Sequence, residues 1–297
     1  AARIGDFWDK KREFLKEPGF KGQNNLGNYY LLLSRYSIES EQSVIELIDL
    51  KNFKIIHKWE PDIDEFNEKI LTEGQFKNHL RDKNKKQFII THPYLSKSAE
   101  VVFSNYSQLI KIDKCSKLIW QNQKHVFHHS KESNDNGDYW VPIKLYESKI
   151  KNYEKVGNHD ALSLVSKNGK IIFEKSLYEL FLENNLEHYI QNHITNTSNR
   201  RNSDVFHLND IEPTRFDSKY WKKGDVFLSL RNLSMIILYR PSTNKLIKVL
   251  HGPFFNQHDV DVLNDHEISI FNNTCLNLRS DVDSYHLIVS IVLSLKL

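Results

Sequence analysis

The chain has 297 residues, with 39% hydrophobic, 12% aromatic and 27% charged, so it can bury a substantial core and global disorder is excluded. Its net charge of +3, from 41 basic and 38 acidic residues, is too even to mark a nucleic-acid surface. No apolar run approaches the roughly 18–20 residues of a membrane-spanning helix. Cys115 and Cys275 show no CxxC or CxxH spacing, which argues against a disulfide framework or a zinc finger and leaves two unpaired thiols as the expectation.

No signal peptide is visible, yet the chain starts at Ala1 and its only methionine is Met235, so an upstream signal or anchor is expected. Residues 1–27 are a basic, aromatic lead-in, with a short helix predicted over Phe7–Lys16 and stopped by Pro18-Gly19. Residues 28–297 read as one β domain, incomplete at its C-terminal end. Tyr29–Ser34, Ser43–Leu50 and Lys54–Trp59 are short runs of branched and aromatic residues divided by turn-prone pairs, hence three antiparallel strands. Residues 62–86 carry Ile63, Phe66, Ile70 and Leu71 at near-helical spacing, a first helical insertion.

A second set of strands follows at Gln87–His92, Glu100–Ser104, Gln108–Ile112 and Lys117–Gln121, and a third at Val126–Glu132, Gly137–Pro142, Ala161–Ser166 and Lys170–Lys175. Asn136-Gly137 and Asn168-Gly169 are hairpin-turn pairs, because glycine takes positive φ at little cost. Ser176–Gln191 is the second helical insertion, with Ser176 as its cap, and 192–204 a polar surface loop. The fourth set is Phe206–Glu212, Gly224–Leu230, Met235–Tyr239 and Lys245–Leu250. A fifth, incomplete set begins at His258–Leu263 and His266–Phe271, and Tyr285–Leu297 is a weakly alternating hydrophobic stretch.

Four of these sets open with histidine: Thr91-His92-Pro93, Phe127-His128-His129-Ser130, Phe206-His207-Leu208-Asn209-Asp210 and Gln257-His258-Asp259. The intervals from His92 to His128, His207 and then His258 are uneven, so insertions divide irregular repeats. The expected fold is all-β, a β-propeller with about five visible blades and two helical insertions, because the first strand of each blade lines the axis and would crowd these imidazoles together. Arg231, ending Ser229-Leu230-Arg231-Asn232, would place its fork of donors at the same mouth, matched to an oxyanion.

The order Phe206-His207-x-Asn209-Asp210, Gly224-Asp225-x-x-x-Ser229-x-Arg231-Asn232 and Gln257-His258-Asp259, with Phe127-His128-His129 and Gly137-Asp138-Tyr139-Trp140-Val141-Pro142, resembles the bacterial arylsulfate sulfotransferases over residues 28–273. The resemblance implies a six-bladed propeller that moves a sulfuryl group from an aryl sulfate ester to a phenolic acceptor through a covalent sulfohistidine, with no cofactor or nucleotide sulfate donor. Carried over by motif, His258 is the nucleophile, and Arg231, His207 and one of His128 and His129, with His129 favoured, surround the sulfuryl group. Asn209, Asn232, Tyr139 and Trp140 are candidate substrate-binding residues, and no metal ligand is assigned. A periplasmic or otherwise exported location is also implied. The chain departs from the family at Ser130, where an aspartate is usual, and has no counterpart to a disulfide near the site.

The chemistry suits these residue types. A neutral imidazole is a good nucleophile near pH 7, and a nearby arginine opposes its protonation. Two competing readings are a non-catalytic propeller that binds partners, with structural histidines, and a histidine-rich metal site for zinc or copper, which the nearby Arg231 disfavours.

Overall fold

The computed structural model describes residues 27–70, 73–146, 153, 159–196, 204–273 and 289–294. The helix expected at Phe7–Lys16, Cys275 and most of Tyr285–Leu297 lie outside them. Among the described residues the chain is mostly β, in antiparallel sheets, and no helix is long and apolar enough to cross a membrane. The described residues divide into two compact units, one holding 27–33 with Glu46–Lys58, the other Ser34–Ile45 with the described residues from Trp59 onward.

Strands β1 (Tyr30–Ser37), β2 (Gln42–Asp49) and β3 (Lys54–Trp59) pair in the order β1-β2-β3. The first helical insertion is two short helices, α1 (Ile63–Asn67) and α2 (His79–Asp82), with a 3-10 turn at Gly74–Phe76 between them. Asp62 caps α1 by accepting from the Glu65 N–H at 3.2 Å.

The next strands are β4 (Thr91–Leu95), β5 (Val101–Ser104), β6 (Ser107–Ile112), β7 (Leu118–Phe127), β8 (Glu132–Ser133), β9 (Tyr139–Leu145), β10 (His159–Val165) and β11 (Ile171–Ser176). The strand expected at Gln87–His92 starts only at Thr91. The second and third sets are also one sheet of eight strands, not two. Ten-residue β7 runs past the predicted end at Gln121, so its last residues, Val126 and Phe127, pair with β9 and join the two meanders. Gly169 closes the β10–β11 turn at φ +84°, where a Cβ would sit 2.7 Å from the Trp120 ring, so two constraints select glycine.

The second insertion is not one helix but two, α3 (Leu177–Glu183) and α4 (Glu187–Asn196), broken around Asn185, which has φ +60°. Ser176 holds the cap position in extended geometry, but its hydroxyl makes no capping bond. Leu177, Tyr178, Leu180 and Phe181 of α3 pack with Phe206, Leu228 and Ile237 in one core cluster. The fourth set is β12 (Leu208–Pro213), β13 (Val226–Leu230), β14 (Met235–Arg240) and β15 (Lys245–Leu250), an uninterrupted meander. In the fifth, β16 (His258–Val262) and β17 (Glu267–Asn272) are completed by β18 (Val289–Ser294), within the stretch read as weakly alternating.

Candidate functional site

The strand starts that carry histidine share an unusual backbone. His92, His129 and His207 have φ of +46°, +52° and +51°, and at the fourth start the left-handed residue is Asp259, next to His258, at +56°. Such conformations cost a non-glycine residue roughly 1–3 kcal/mol, so the surrounding bonds must hold them. At three of the four starts the ladder slips by one residue: between Thr91 and Tyr94, Leu208 and Asp210, and His258 and Val260. A bulge of this kind turns a side chain out of the regular alternation.

Buried polar groups tie the starts together across sheets. Asp160 Oδ2 accepts from the Leu208 N–H and Asp210 Oδ2 from the Val260 N–H, both at 2.9 Å. Asn209 Nδ2 donates to the Gln257 carbonyl at 2.8 Å, and the Ser130 N–H to the Asn209 carbonyl at 3.3 Å. The buried Lys131 ammonium donates to the carbonyls of His129, Thr91 and Ser104 at 2.6, 3.1 and 3.3 Å. These bonds are what brings residues from three sheets to one place.

There, the rings of His129, His207 and His258 meet. Centroids are 5.0 Å apart for His129 and His207, 6.2 Å for His207 and His258, and 6.3 Å for His129 and His258. One ring nitrogen from each lies within 4.8 Å of the other two, a grouping able to ligate a metal ion. His92 stands at the edge of the cluster, 6.1 Å from His129. Arg231, in the 3-10 turn Arg231–Leu233, donates its backbone N–H to the His207 carbonyl at 3.2 Å and its Nη1 to Asn232 Oδ1 at 3.0 Å.

The outer nitrogen of each ring is engaged. His207 Nδ1 lies 2.6 Å from Asp204 Oδ2, so Nδ1 carries the proton and donates it to the carboxylate. His258 Nδ1 is 3.2 Å from the Asn256 carbonyl and 3.0 Å from the Asn273 amide nitrogen. The carbonyl is fixed whereas the amide can turn its oxygen inward, so we assign a proton to this Nδ1 too. His129 Nδ1 is 2.7 Å from Nδ1 of the buried His128, whose Nε2 lies 3.3 Å from Asp160 Oδ1. The carboxylate favours a proton on His128 Nε2, so His129 donates between the two rings. Each of the three converging rings then offers an Nε2 lone pair.

Electrostatics disfavour protonation of His258 and His129. Burial, then the Arg231 guanidinium and His207, lower the His258 pKa from its ordinary value. Burial and the neighbouring His128, His207 and His92 push His129 down to about 2. Behind them, Lys144 Nζ lies 2.6 Å from Asp160 and 2.9 Å from Asp204. Burial opposes charge on Lys144, but the two carboxylates outweigh it and raise its pKa above the lysine range. Farther along, burial and repulsion from neighbouring carboxylates, Asp259 and Asp261 among them, push the carboxyls of Glu132, Glu212 and Asp210 up to about 9, 8 and 7.

Of the residues singled out in sequence, the structure assembles His129, His207, His258 and Arg231, with His128 behind His129 and Asn232 bridging Arg231 to the Asp204 carbonyl at 2.7 Å. Asn209 is buried in the strand-to-strand network. Tyr139 and Trp140 do not join the imidazoles: they are buried, and their ring contacts are with Tyr94 and Trp120 and with Phe173. Sequence reasoning missed Asp204, Lys144, Asp160 and Tyr106. Tyr106 stacks on His128 at 5.3 Å and meets His129 edge-on at 5.8 Å while remaining 42% exposed. Asp204, three residues before His207, was the one with a readable signal. Cys115 is exposed and free.

Among solved structures, the chain is similar to a protein of unknown function from Bacteroides caccae, with a TM-score of 0.47 and 12% identity over 84% of this chain and 69% of that one. It is also similar to the WD40 domain of Neurospora crassa Pan2, with a TM-score of 0.46 and 9% identity over 88% and 61%. A third similarity is to the dihydro-heme d1 dehydrogenase NirN in complex with DHE, with a TM-score of 0.41 and 10% identity over 92% and 46%. No curated protein matches the sequence. A family model described as arylsulfotransferase (ASST) matches residues 95–295, well over half of the chain.

Proposed function

The chain belongs to the arylsulfotransferase family, and from that membership we propose that it transfers a sulfuryl group from an aryl sulfate ester to a phenol through a sulfohistidine at His258. The observation that carries this is the convergence of His129, His207 and His258 from three sheets, with Arg231 lowering the pKa of His258. Small-molecule substrates follow from the family. The strands β4, β8, β12 and β16 fit the axial strands of successive propeller blades, in a family pattern of six. An exported, periplasmic location is part of the same proposal.

The reaction runs in two balanced steps. The Nε2 lone pair of His258 attacks sulfur, an N–S bond forms, and the S–O bond to the aryl group breaks. The aryl group leaves as a phenolate. An acceptor phenol then gives its proton to the Nε2 lone pair of His207, whose Nδ1–H is held by Asp204, as its oxygen attacks sulfur and the N–S bond breaks, and His207 passes that proton on to the released phenolate or to water. Arg231 supplies donors to the sulfuryl oxygens, a role neutral His129 does not fill because its Nε2 is a lone pair. His129 instead closes the third side of the sulfuryl group, and Tyr106 offers an exposed ring beside it.

A chromogenic phenyl sulfate tests this. Sustained release of the coloured phenolate that depends on an added phenol, with one sulfated acceptor formed per phenolate released, is the expected result. No release under any acceptor would leave a non-catalytic binding module as the better description.

A further inference from the structure

We propose that Nε2 of His129, His207 and His258 form a binding site for a single zinc-like divalent transition-metal ion, which competes with the sulfuryl group. The trio is the one His, Cys, Asp or Glu grouping among the described residues whose ligand atoms converge, all within 4.8 Å of one another. Tetrahedral zinc at a Zn–N distance of roughly 2.0–2.1 Å needs nitrogens about 3.4 Å apart, so ring shifts on the order of 1 Å complete the site.

What distinguishes the trio from a chance cluster is its outer layer. His207 Nδ1 is held by the Asp204 carboxylate, His258 Nδ1 by the Asn256 carbonyl and His129 Nδ1 by His128. Metal-ligating histidines characteristically donate the other ring N–H to a carboxylate or carbonyl, which fixes the tautomer and aims the lone pair at the ion. An all-imidazole set selects zinc, copper or nickel over magnesium and calcium, which prefer oxygen. Three ligands also leave a fourth position open. The Arg231 guanidinium is unfavourable beside a bare cation, so the fourth ligand is expected to be an anion bridging metal and arginine. Metal binding stands on this geometry alone, whereas the competition rests on the sulfuryl-transfer proposal.

The test is calorimetric titration of the metal-free chain with Zn2+ and, separately, Mg2+, with folding of every variant checked by circular dichroism. One Zn2+ per chain is expected, without comparable Mg2+ binding. His129→Asn, His207→Asn and His258→Asn should each weaken Zn2+ at least about 10-fold. Asp204→Asn, which keeps all three ligands, should weaken it about 10-fold, while the exposed His266→Asn leaves it unchanged. Zn2+ should also inhibit turnover competitively with the aryl sulfate, reversibly on chelation. Zn2+ affinity indifferent to the three ligand substitutions, or no tighter than that of Mg2+, would overturn the site. Specific Zn2+ binding by a chain that transfers no sulfuryl group would uphold the site while sinking the proposed function.

Discussion

Asp204 Oδ2 sits 2.6 Å from His207 Nδ1, and the same carboxylate contacts Lys144, which also contacts Asp160. This chain of charges fixes which nitrogen of His207 faces the cluster. Asp204→Asn keeps the volume but offers an amide that can donate to Nδ1 and push the proton to Nε2. The expected outcome is a fall in kcat of about 100-fold or more with little change in KM. Because Asp204 acts through His207, the acidic limb of the pH–rate profile should move as well. An unchanged profile would reduce Asp204 to a structural partner of Lys144.

Tyr106 leaves much of its ring exposed beside His128 and His129. If the aryl group of the donor rests there, Tyr106→Ala should raise KM for the aryl sulfate by roughly 3- to 10-fold, the worth of one aromatic contact, and leave kcat nearly unchanged. Tyr106→Phe should restore KM. Steady-state kinetics on the two variants decide this.

The buried imidazoles make the fold acid-sensitive. His128 and His129 have folded pKa values below the ordinary 6.5, so they are neutral in the folded protein and bind protons only on unfolding. Their contribution is present above pH 6.5 and is lost as pH falls below it, with the unfolded state binding more protons. Asp160 and Asp204, held low by Lys144 and their histidine partners, act in the same direction at lower pH. Denaturant unfolding at a series of pH values should show stability falling steadily below pH 6.5. In a His128→Asn variant the decline between pH 6.5 and 5 should be shallower.

The carboxyl of Glu132 behaves oppositely. With its pKa pushed up to about 9 by burial and by Asp210 and Glu212, it stays protonated in the fold and ionises on unfolding, so its stabilising effect fades as pH rises from its ordinary 4.5 toward 9. Glu132→Gln replaces the protonated acid with a neutral amide. Melting temperatures should be similar to wild type near pH 5 and higher than wild type near pH 8. A lower melting temperature at pH 8 would mean that the carboxylate is ionised and paired there.

Much of this was legible in the sequence because it rests on local pattern. Branched and aromatic alternation located nearly all the strands, Asn168-Gly169 located its turn, and motif order picked out His129, His207, His258 and Arg231. Three things were hidden for physical reasons. The left-handed backbone at His92, His129 and His207 belongs to residues that carry a Cβ, so no glycine announces it, and long-range hydrogen bonds hold it. Strand β7 passes from one meander to the next because its end finds β9, a pairing that local propensity does not encode. Tyr139 and Trp140 were read as pocket residues, yet an aromatic in a strand fills a core equally well, and here both do.

The central claim is that His258 carries the sulfuryl group. Incubation with an aryl sulfate in the absence of acceptor, an alkaline quench that preserves the acid-labile N–S bond, and peptide mass spectrometry would locate it. The expected result is one sulfuryl adduct per chain on His258, discharged by added phenol and absent from a folded His258→Asn variant. An adduct on another residue, or turnover undiminished in His258→Asn, would contradict it.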